Sequence, residues 1–408
     1  MKNKELYKKI KSNMGCVYFS PITFRTSEGI YLEDIESNKY IDFTSGYGVV
    51  NIGWQNKKMI KKQIEQISIS NYAPPWMPTN EANDLAEKLK TFFPNENYKC
   101  LRATGGANAN EMVLSIFYNK TKGEIATFNR SYHGWSQATI GMSESDKFKF
   151  PSIKKGFESV KIELPISDSV EYIEEIFNKN PNIKIFIAEP ILVSGGVIIP
   201  SKAFWNNLYN LCKNKGIYFI FDEAITAFGR TGYMFYSNYL GINPDAIVLA
   251  KGISSGYSTI GAVLVKEEHL KDYKFADVSA TFSWTPFSCA IAKYNIDIIE
   301  EDSLCENSLI TGDYLKNLIE DRFKKYFNSD LFEIRSCGLV IGVNLINKEG
   351  LPNLFLIGRI LFDCAKNGLV LCTSWDNKTL IFMPPLCINK QQCDAAIKIL
   401  DEVLAKKA

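Results

Sequence analysis

The chain has 408 residues, enough for two or three domains built around a large buried sheet. Its 47 Lys plus Arg against 45 Asp plus Glu leave a formal charge of +2, so no bulk field draws it to nucleic acid or to an anionic membrane. No stretch approaches the ~18 consecutive apolar residues of a membrane span, and two histidines, His133 and His269, are too few and too far apart for a zinc site.

In chain order, residues 1 to about 20 read as a short charged helix and linker. Gly29 to Asp34 and Lys39 to Phe43, joined by Glu36-Ser37-Asn38, read as a β-hairpin packed on something larger. Ser45 to Trp54 is glycine-rich and aromatic, and Lys57 to Ile69 has helical spacing. The prolines of Tyr72-Ala73-Pro74-Pro75-Trp76 predict an extended segment. Thr79 then caps a helix from Asn80 to Phe92, with Ala82, Leu85, Ala86 and Leu89 on one face.

From Lys99 to about Val265, short apolar runs (EIATF, IKIFIAEPILV, GIYFIF, DAIVLA, GAVLV) alternate with helical patterns at Asn110, Val170 and Phe204. That alternation predicts an α/β sheet, mostly parallel, with helices on both faces. Beyond the helix from Phe287 to Glu301 the texture changes. Helices near Leu309 to Tyr326 and Asn353 to Asn367, strands near Leu331 to Asn344 and Thr379 to Met383, and a last helix from Gln391 predict a smaller α+β domain. The boundaries expected are 1–60 for an N-terminal segment and hairpin, 61–290 for a large domain and 291–408 for a small C-terminal one.

The ten cysteines, at 16, 100, 212, 289, 305, 337, 364, 372, 387 and 393, form no C-x-x-C, and several fall inside apolar runs such as Leu371 to Thr373. Buried thiols in a reducing compartment fit this pattern. The N-terminus MKNKELYKKIKSN is basic but has no apolar core behind it. A soluble cytoplasmic protein without a metal site is expected.

The chemistry concentrates at strand ends. The run Ile217 to Phe221 stops on Asp222-Glu223, and Ala246 to Ala250 stops on Lys251, so a parallel sheet can present an acid and a lysine to one crevice. A carboxylate against a ring nitrogen and an imine-forming lysine are what pyridoxal phosphate (PLP) asks of a protein. Each also has an ordinary reading, Lys251 as a solvated strand end and Asp-Glu as a helix cap.

Thr104-Gly105-Gly106-Ala107-Asn108-Ala109-Asn110 opens a helix and either cradles a phosphate on free N–H groups or is a tight turn that packs helix on sheet. It is not G-x-G-x-x-G, and no G-x-x-x-x-G-K-[ST] occurs, which disfavours dinucleotide and nucleoside-triphosphate sites. Ser131-Tyr132-His133-Gly134-Trp135 follows another strand and offers a ring to stack on a flat ligand, or simply a rim aromatic. Glu189-Pro190 ends a strand along the same crevice.

Taken together these segments resemble the class III aminotransferases of PLP fold type I, from about Gly29 to Pro385. The most specific block is FDEAITAFGRTGYMF followed by PDAIVLAKGISSG and GAV. The resemblance implies a large domain with a mostly parallel seven-stranded sheet flanked by helices, and a smaller α+β domain formed by the C-terminal part and the N-terminal segment.

It further implies that Lys251 carries the imine link to the cofactor and shuttles a proton. Asp222 pairs with the pyridine nitrogen, while Ala224 and Tyr132 lie near the two ring faces. Gly105, Gly106, Ala107 and Asn108 hold the phosphate, His133 and Glu189 lie within the cofactor site, and Thr281 of ATFSWTP reaches the phosphate of a neighbouring subunit, so a homodimer is implied. The expected activity is transfer of an amino group between an amine or amino-acid donor and a carbonyl acceptor. The alternatives are an aminomutase or racemase on the same scaffold, or a non-catalytic PLP-binding protein.

Several positions depart from the family's pattern, among them Trp284-Thr285-Pro286 where the family has Gly-Asn-Pro after the threonine. Ala107-Asn108 replace its serine or threonine and glutamate, Ile225 its cofactor-contacting glutamine, Ser194 a gate glutamate, and Ile381 the arginine of R-x-x-P-P. Without that guanidinium, a substrate lacking a carboxylate at this point is expected, with Tyr47, Trp54, Trp76 and Trp284 as an aromatic rim. An apolar arm, a ring or a sugar all suit such a rim, as does a phosphorylated or carrier-bound compound. An amino-acid donor would need another arginine, such as Arg25 or Arg230.

Overall fold

A computed structural model describes residues 2–15, 22–143, 156–165, 167–273 and 280–407. Cys16 and the end of the N-terminal linker lie outside the described residues.

The N-terminal part contains α1 (Asn3–Asn13), β1 (Phe24–Glu28), β2 (Tyr31–Asp34), β3 (Lys39–Asp42), the short turn α2 (Ser45–Gly48), α3 (Lys57–Ile69) and α4 (Asn80–Lys90). The predicted hairpin is present as β2 and β3, paired antiparallel, and β1 adds a strand that the sequence reading did not contain. Thr79 caps α4 by accepting from the Ala82 N–H, and Leu85 and Leu89 are fully buried on its inner face. The segment expected to be extended through Trp76 turns instead: the Met77 N–H donates to the Pro74 carbonyl at 2.9 Å. Pro75 sits at the second position of that turn, where its fixed φ is an advantage.

The middle of the chain supplies β4 (Tyr98–Ala103), α5 (Gly106–Thr121), β5 (Glu124–Phe128), β6 (Ser159–Ile162), α6 (Glu171–Lys179), β7 (Ile183–Ala188), α7 (Lys202–Asn214), β8 (Tyr218–Asp222), α8 (Tyr236–Leu240), β9 (Ala246–Leu249) and β10 (Gly261–Lys266). The strands form one seven-stranded sheet in the order β4-β10-β9-β8-β7-β5-β6. Only β10 runs against the others. Central strands with both faces covered have apolar residues throughout, and Phe219, Ile220 and Phe221 of β8 are all buried. Each such side chain contributes on the order of 2 kcal/mol by leaving water.

The rest comprises α9 (Pro286–Glu301), α10 (Leu304–Tyr326), β11 (Phe332–Cys337), β12 (Val340–Leu345), α11 (Leu354–Lys366), β13 (Leu369–Val370), β14 (Cys372–Thr373), β15 (Thr379–Phe382) and α12 (Lys390–Leu404). Strands β11-β12-β15-β14 form a second sheet, while β13 crosses to pair in parallel with β3, where Leu369 faces Ile41. The N-terminal hairpin is therefore built into the smaller α+β part, as expected. No helix among the described residues is long and apolar enough to cross a membrane.

Candidate active site

Because the strands around the centre share a direction, the segments leaving β4, β5, β7, β8 and β9 emerge at one edge of the sheet. These are the loop into α5, Ser131 to Trp135, Glu189, Asp222 and Lys251. Gly106 shows how closely they meet: a Cβ there would lie 3.4 Å from the Ala250 Cβ and 3.9 Å from the Ala224 Cβ. The α5 N-terminus thus sits beside the ends of β8 and β9. Gly105 has no side chain to cap it, so the N–H groups of Gly106, Ala107 and Asn108 open the helix uncovered. The Asn108 side chain turns back, accepting from the Thr104 N–H at 3.1 Å.

Asp222, at the end of β8, is buried and fixed from three sides. Its Oδ2 accepts from Asn110 Nδ2 at 2.8 Å and from His133 Nδ1 at 2.9 Å, and its Oδ1 accepts from the Ala224 N–H at 3.1 Å. Burial alone would raise its pKa, but the hydrogen bonds from His133 and Asn110, with the Ala224 N–H, outweigh it and hold the carboxyl below its usual value. His133 is itself held, since its other ring nitrogen lies 3.1 Å from the Thr127 hydroxyl and its N–H donates to the Ser143 hydroxyl. Gly134 follows at φ +120°, and a Cβ there would come within 2.7 Å of the Ala107 Cβ, so this loop abuts the first turn of α5.

Glu223 has the structural role its neighbour lacks. It accepts from the N–H groups of Tyr236 and Ser237 and from the Thr226 hydroxyl, capping α8 rather than a helix that follows it directly.

Lys251 is half-buried, at φ +44°, in the tight turn that leaves β9. Burial pulls its pKa below the ordinary lysine value, with the charges of Asp222 and Glu189 acting the other way. Glu189 accepts from the Tyr132 N–H at 2.9 Å. Its pKa is pushed up to about 8, chiefly by burial and then by the nearby Asp222 charge.

An open cavity adjoins these groups. It is lined by the apolar side chains of Val193, Ile225, Ile381 and Met383 and the aromatic Tyr47 and Trp375, while Ser194, Thr373, Ser374 and Asn377 supply hydroxyl and amide groups. Trp375, which the sequence reading missed, lies over Tyr132 with ring centroids 5.0 Å apart. Its backbone N–H donates to the Ser194 carbonyl at 3.0 Å. Ser194, Ile225 and Ile381, three departures from the family pattern, thus converge on one cavity.

Of the aromatic rim expected from sequence, only Tyr47 lines this space. Trp54 donates to Asp42, Trp284 is buried and donates to the Gly261 carbonyl, and Trp76 is exposed elsewhere. Arg230 is fully buried and donates to the carbonyls of Leu339 and Pro384, to Ser45 and to Asn51. Arg25 pairs with Glu33 at 3.1 Å on the N-terminal sheet. Neither is placed to clamp a carboxylate in the cavity. Thr281 is exposed, beside the exposed Phe282; its carbonyl accepts from the Tyr72 hydroxyl.

The donor set fits PLP. Asp222 is ionised and has about four acceptor positions, of which three are filled. One remains for a ring N–H. The uncovered start of α5 suits a phosphate, and Lys251 is a lysine whose neutral form is favoured by burial.

Comparison with known proteins agrees. The family model "Aminotransferase class-III" matches residues 17–404. An acetylornithine aminotransferase of Methanocaldococcus jannaschii is 32% identical over 95% of this chain and 94% of its own. An alanine/serine racemase of Pyrococcus horikoshii is 26% identical over 98% and 89%. The crystal structure of a transaminase from the marine bacterium Virgibacillus superposes with a TM-score of 0.91 at 26% identity, over 98% of both chains. The chain belongs to the class III aminotransferases, PLP-dependent enzymes of fold type I.

Proposed function

We propose that Lys251 is the residue that binds PLP covalently, with Asp222 at its ring nitrogen, and that the active protein is a cytoplasmic homodimer. When bound, PLP supplies an electron sink for the charge left when a proton leaves the amine-bearing carbon. Lys251 Nζ would take up and return that proton, a task suited to an amine whose pKa burial has lowered. Asp222, held ionised by Asn110 and His133, keeps a proton on the ring nitrogen. The N–H groups of Gly106, Ala107 and Asn108, with Gly105 shaping the turn, hold the phosphate. Tyr132 and Ala224 would lie near the ring, with Ile225 among the residues around it. Glu189, protonated near neutral pH, avoids a second negative charge beside Asp222.

The observation that carries this reading is the fixed Asp222 carboxylate near the half-buried Lys251 at the end of the adjacent strand. Thr281, exposed on its own chain, supports a role in a neighbour's site. The nine described cysteines are all unpaired, which suits a reducing compartment, although Cys387 is exposed and Cys100, Cys305 and Cys337 are only partly buried. The division at 60/61 and 290/291 is proposed with it, the hairpin and C-terminal sheets forming the smaller unit.

The test is the donor half-reaction. Holoenzyme mixed with an amine should release the matching carbonyl compound in one equivalent per site, and a carbonyl acceptor should restore the starting spectrum. Racemisation is the second reading, favoured by the Pyrococcus relative. Inversion of a chiral amine without release of a carbonyl product would establish it instead.

A further inference from the structure

We infer that the cavity beside Tyr132 takes the arm of the amine substrate that points away from the reacting carbon, and that this arm is uncharged and apolar, a hydrocarbon chain or an aryl ring. The inference rests on the aminotransferase reading and gives it a substrate class. The apolar side chains that line the cavity decide the polarity. Val193, Ile225, Ile381 and Met383 come from three separate stretches of chain, and all are buried. None of the lining side chains carries a formal charge at neutral pH among the described residues.

The guanidinium that reaches Asp376, between the lining residues Trp375 and Asn377, is already committed. Arg130 pairs with Asp376 at 3.1 Å, and Asp376 also accepts from the Ser374 hydroxyl at 2.6 Å and the Lys378 N–H at 3.1 Å. A carboxylate arm entering this space would lose its water and gain no counter-charge, which is costly.

The hydroxyls argue against a sugar. Ser374 Oγ donates to Asp376 and accepts from the Thr379 N–H at 3.1 Å, and Thr373 Oγ1 donates to Asn377 Oδ1 at 2.9 Å. These groups serve one another, so a polyol arm would exchange good hydrogen bonds to water for few in the protein. The faces of Tyr47 and Trp375 suit an aryl or hydrocarbon arm. Trp375 is fixed there by its contact with Tyr132 and its backbone hydrogen bond to Ser194.

The experiment compares single turnovers of the holoenzyme with hexylamine, benzylamine, 6-aminohexanoate and glucosamine, followed by rapid-mixing absorbance. Borohydride labelling of Lys251 is run on the same preparation. Hexylamine and benzylamine should exceed 6-aminohexanoate and glucosamine in kcat/KM by roughly 100-fold. Ile381→Arg should narrow the gap between hexylamine and 6-aminohexanoate, mainly by lowering KM for the acid. If that variant does not fold, the comparison in the unaltered enzyme stands alone.

Preference for 6-aminohexanoate would overturn the inference, and its loss in Arg130→Gln would trace the acid's binding to a released Arg130. Preference for glucosamine, or a labelled enzyme that turns over neither hydrocarbon amine, would also overturn it. A preparation with no label at Lys251 would instead strike at the aminotransferase reading itself.

Discussion

Asn110, one turn into α5, donates to Asp222 at the end of β8 across 2.8 Å, although 112 positions separate them in sequence. The same amide also donates to the His133 carbonyl, so one side chain ties the α5 N-terminus, the loop after β5 and the end of β8 into a single unit. Asn110→Ala should leave the protein folded and able to bind PLP but slow the reaction up to ~100-fold through misplacement of Asp222. It should also move the acid limb of the pH-rate profile upward, because Asp222 loses a donor that lowers its pKa. An unchanged pH profile would mean that Asn110 only packs.

Asp222→Asn keeps the size and loses the charge. The rate of proton removal should fall by orders of magnitude with cofactor still bound, measured by rapid mixing with a deuterated amine. Near-normal turnover would reduce Asp222 to a structural residue.

Glu189 sets a pH dependence in the cofactor-free protein. Its folded pKa, raised from 4.5 to about 8, means that the folded state holds a proton the unfolded state gives up. Stability is therefore lost as pH rises from 4.5 towards 8. Thermal melts of the wild type and Glu189→Gln should diverge over this window, the wild type losing ground to the variant as pH rises. Lys251, whose lowered pKa acts in the opposite sense up to its unfolded value of 10.5, is present in both proteins. Parallel melting curves would remove Glu189 from the account.

Gly134 is a packing requirement. Gly134→Ala adds strain at φ +120° and pushes against Ala107, and should cost about 1–3 kcal/mol in denaturant melts while weakening PLP binding. A stable variant with normal cofactor affinity would show that the two loops are not coupled.

Thr281 tests the dimer. Mixing Lys251→Ala with Thr281→Ala under verified subunit exchange should restore activity, because one site of each hybrid carries neither change. No recovery would mean that each chain completes its own site.

Much of this site could be read along the chain because its parts are local. Asp222 and Lys251 end apolar runs, and Gly105 and Gly106 precede a helix, so strand ends and a helix start announce themselves by composition. The partners are less legible. Asn110 looks like any polar residue in a helix, and its role depends on which strand end lies opposite. Trp375 sits in a turn between two short strands whose place over Tyr132 follows from packing of the C-terminal sheet. The pairing of β3 with β13 joins residues 41 and 369, and no periodicity within either segment signals it. Trp284 and Arg230, suggested for rim and clamp, are buried because their neighbours in space supply acceptors for them. Sequence alone cannot separate such anchors from ligand contacts.

The most direct test is borohydride reduction of the holoenzyme followed by peptide mapping. The label should fall on the single peptide containing Lys251 and be absent from Lys251→Ala. A label on another lysine, or one that persists in the variant, would contradict the assignment at its centre.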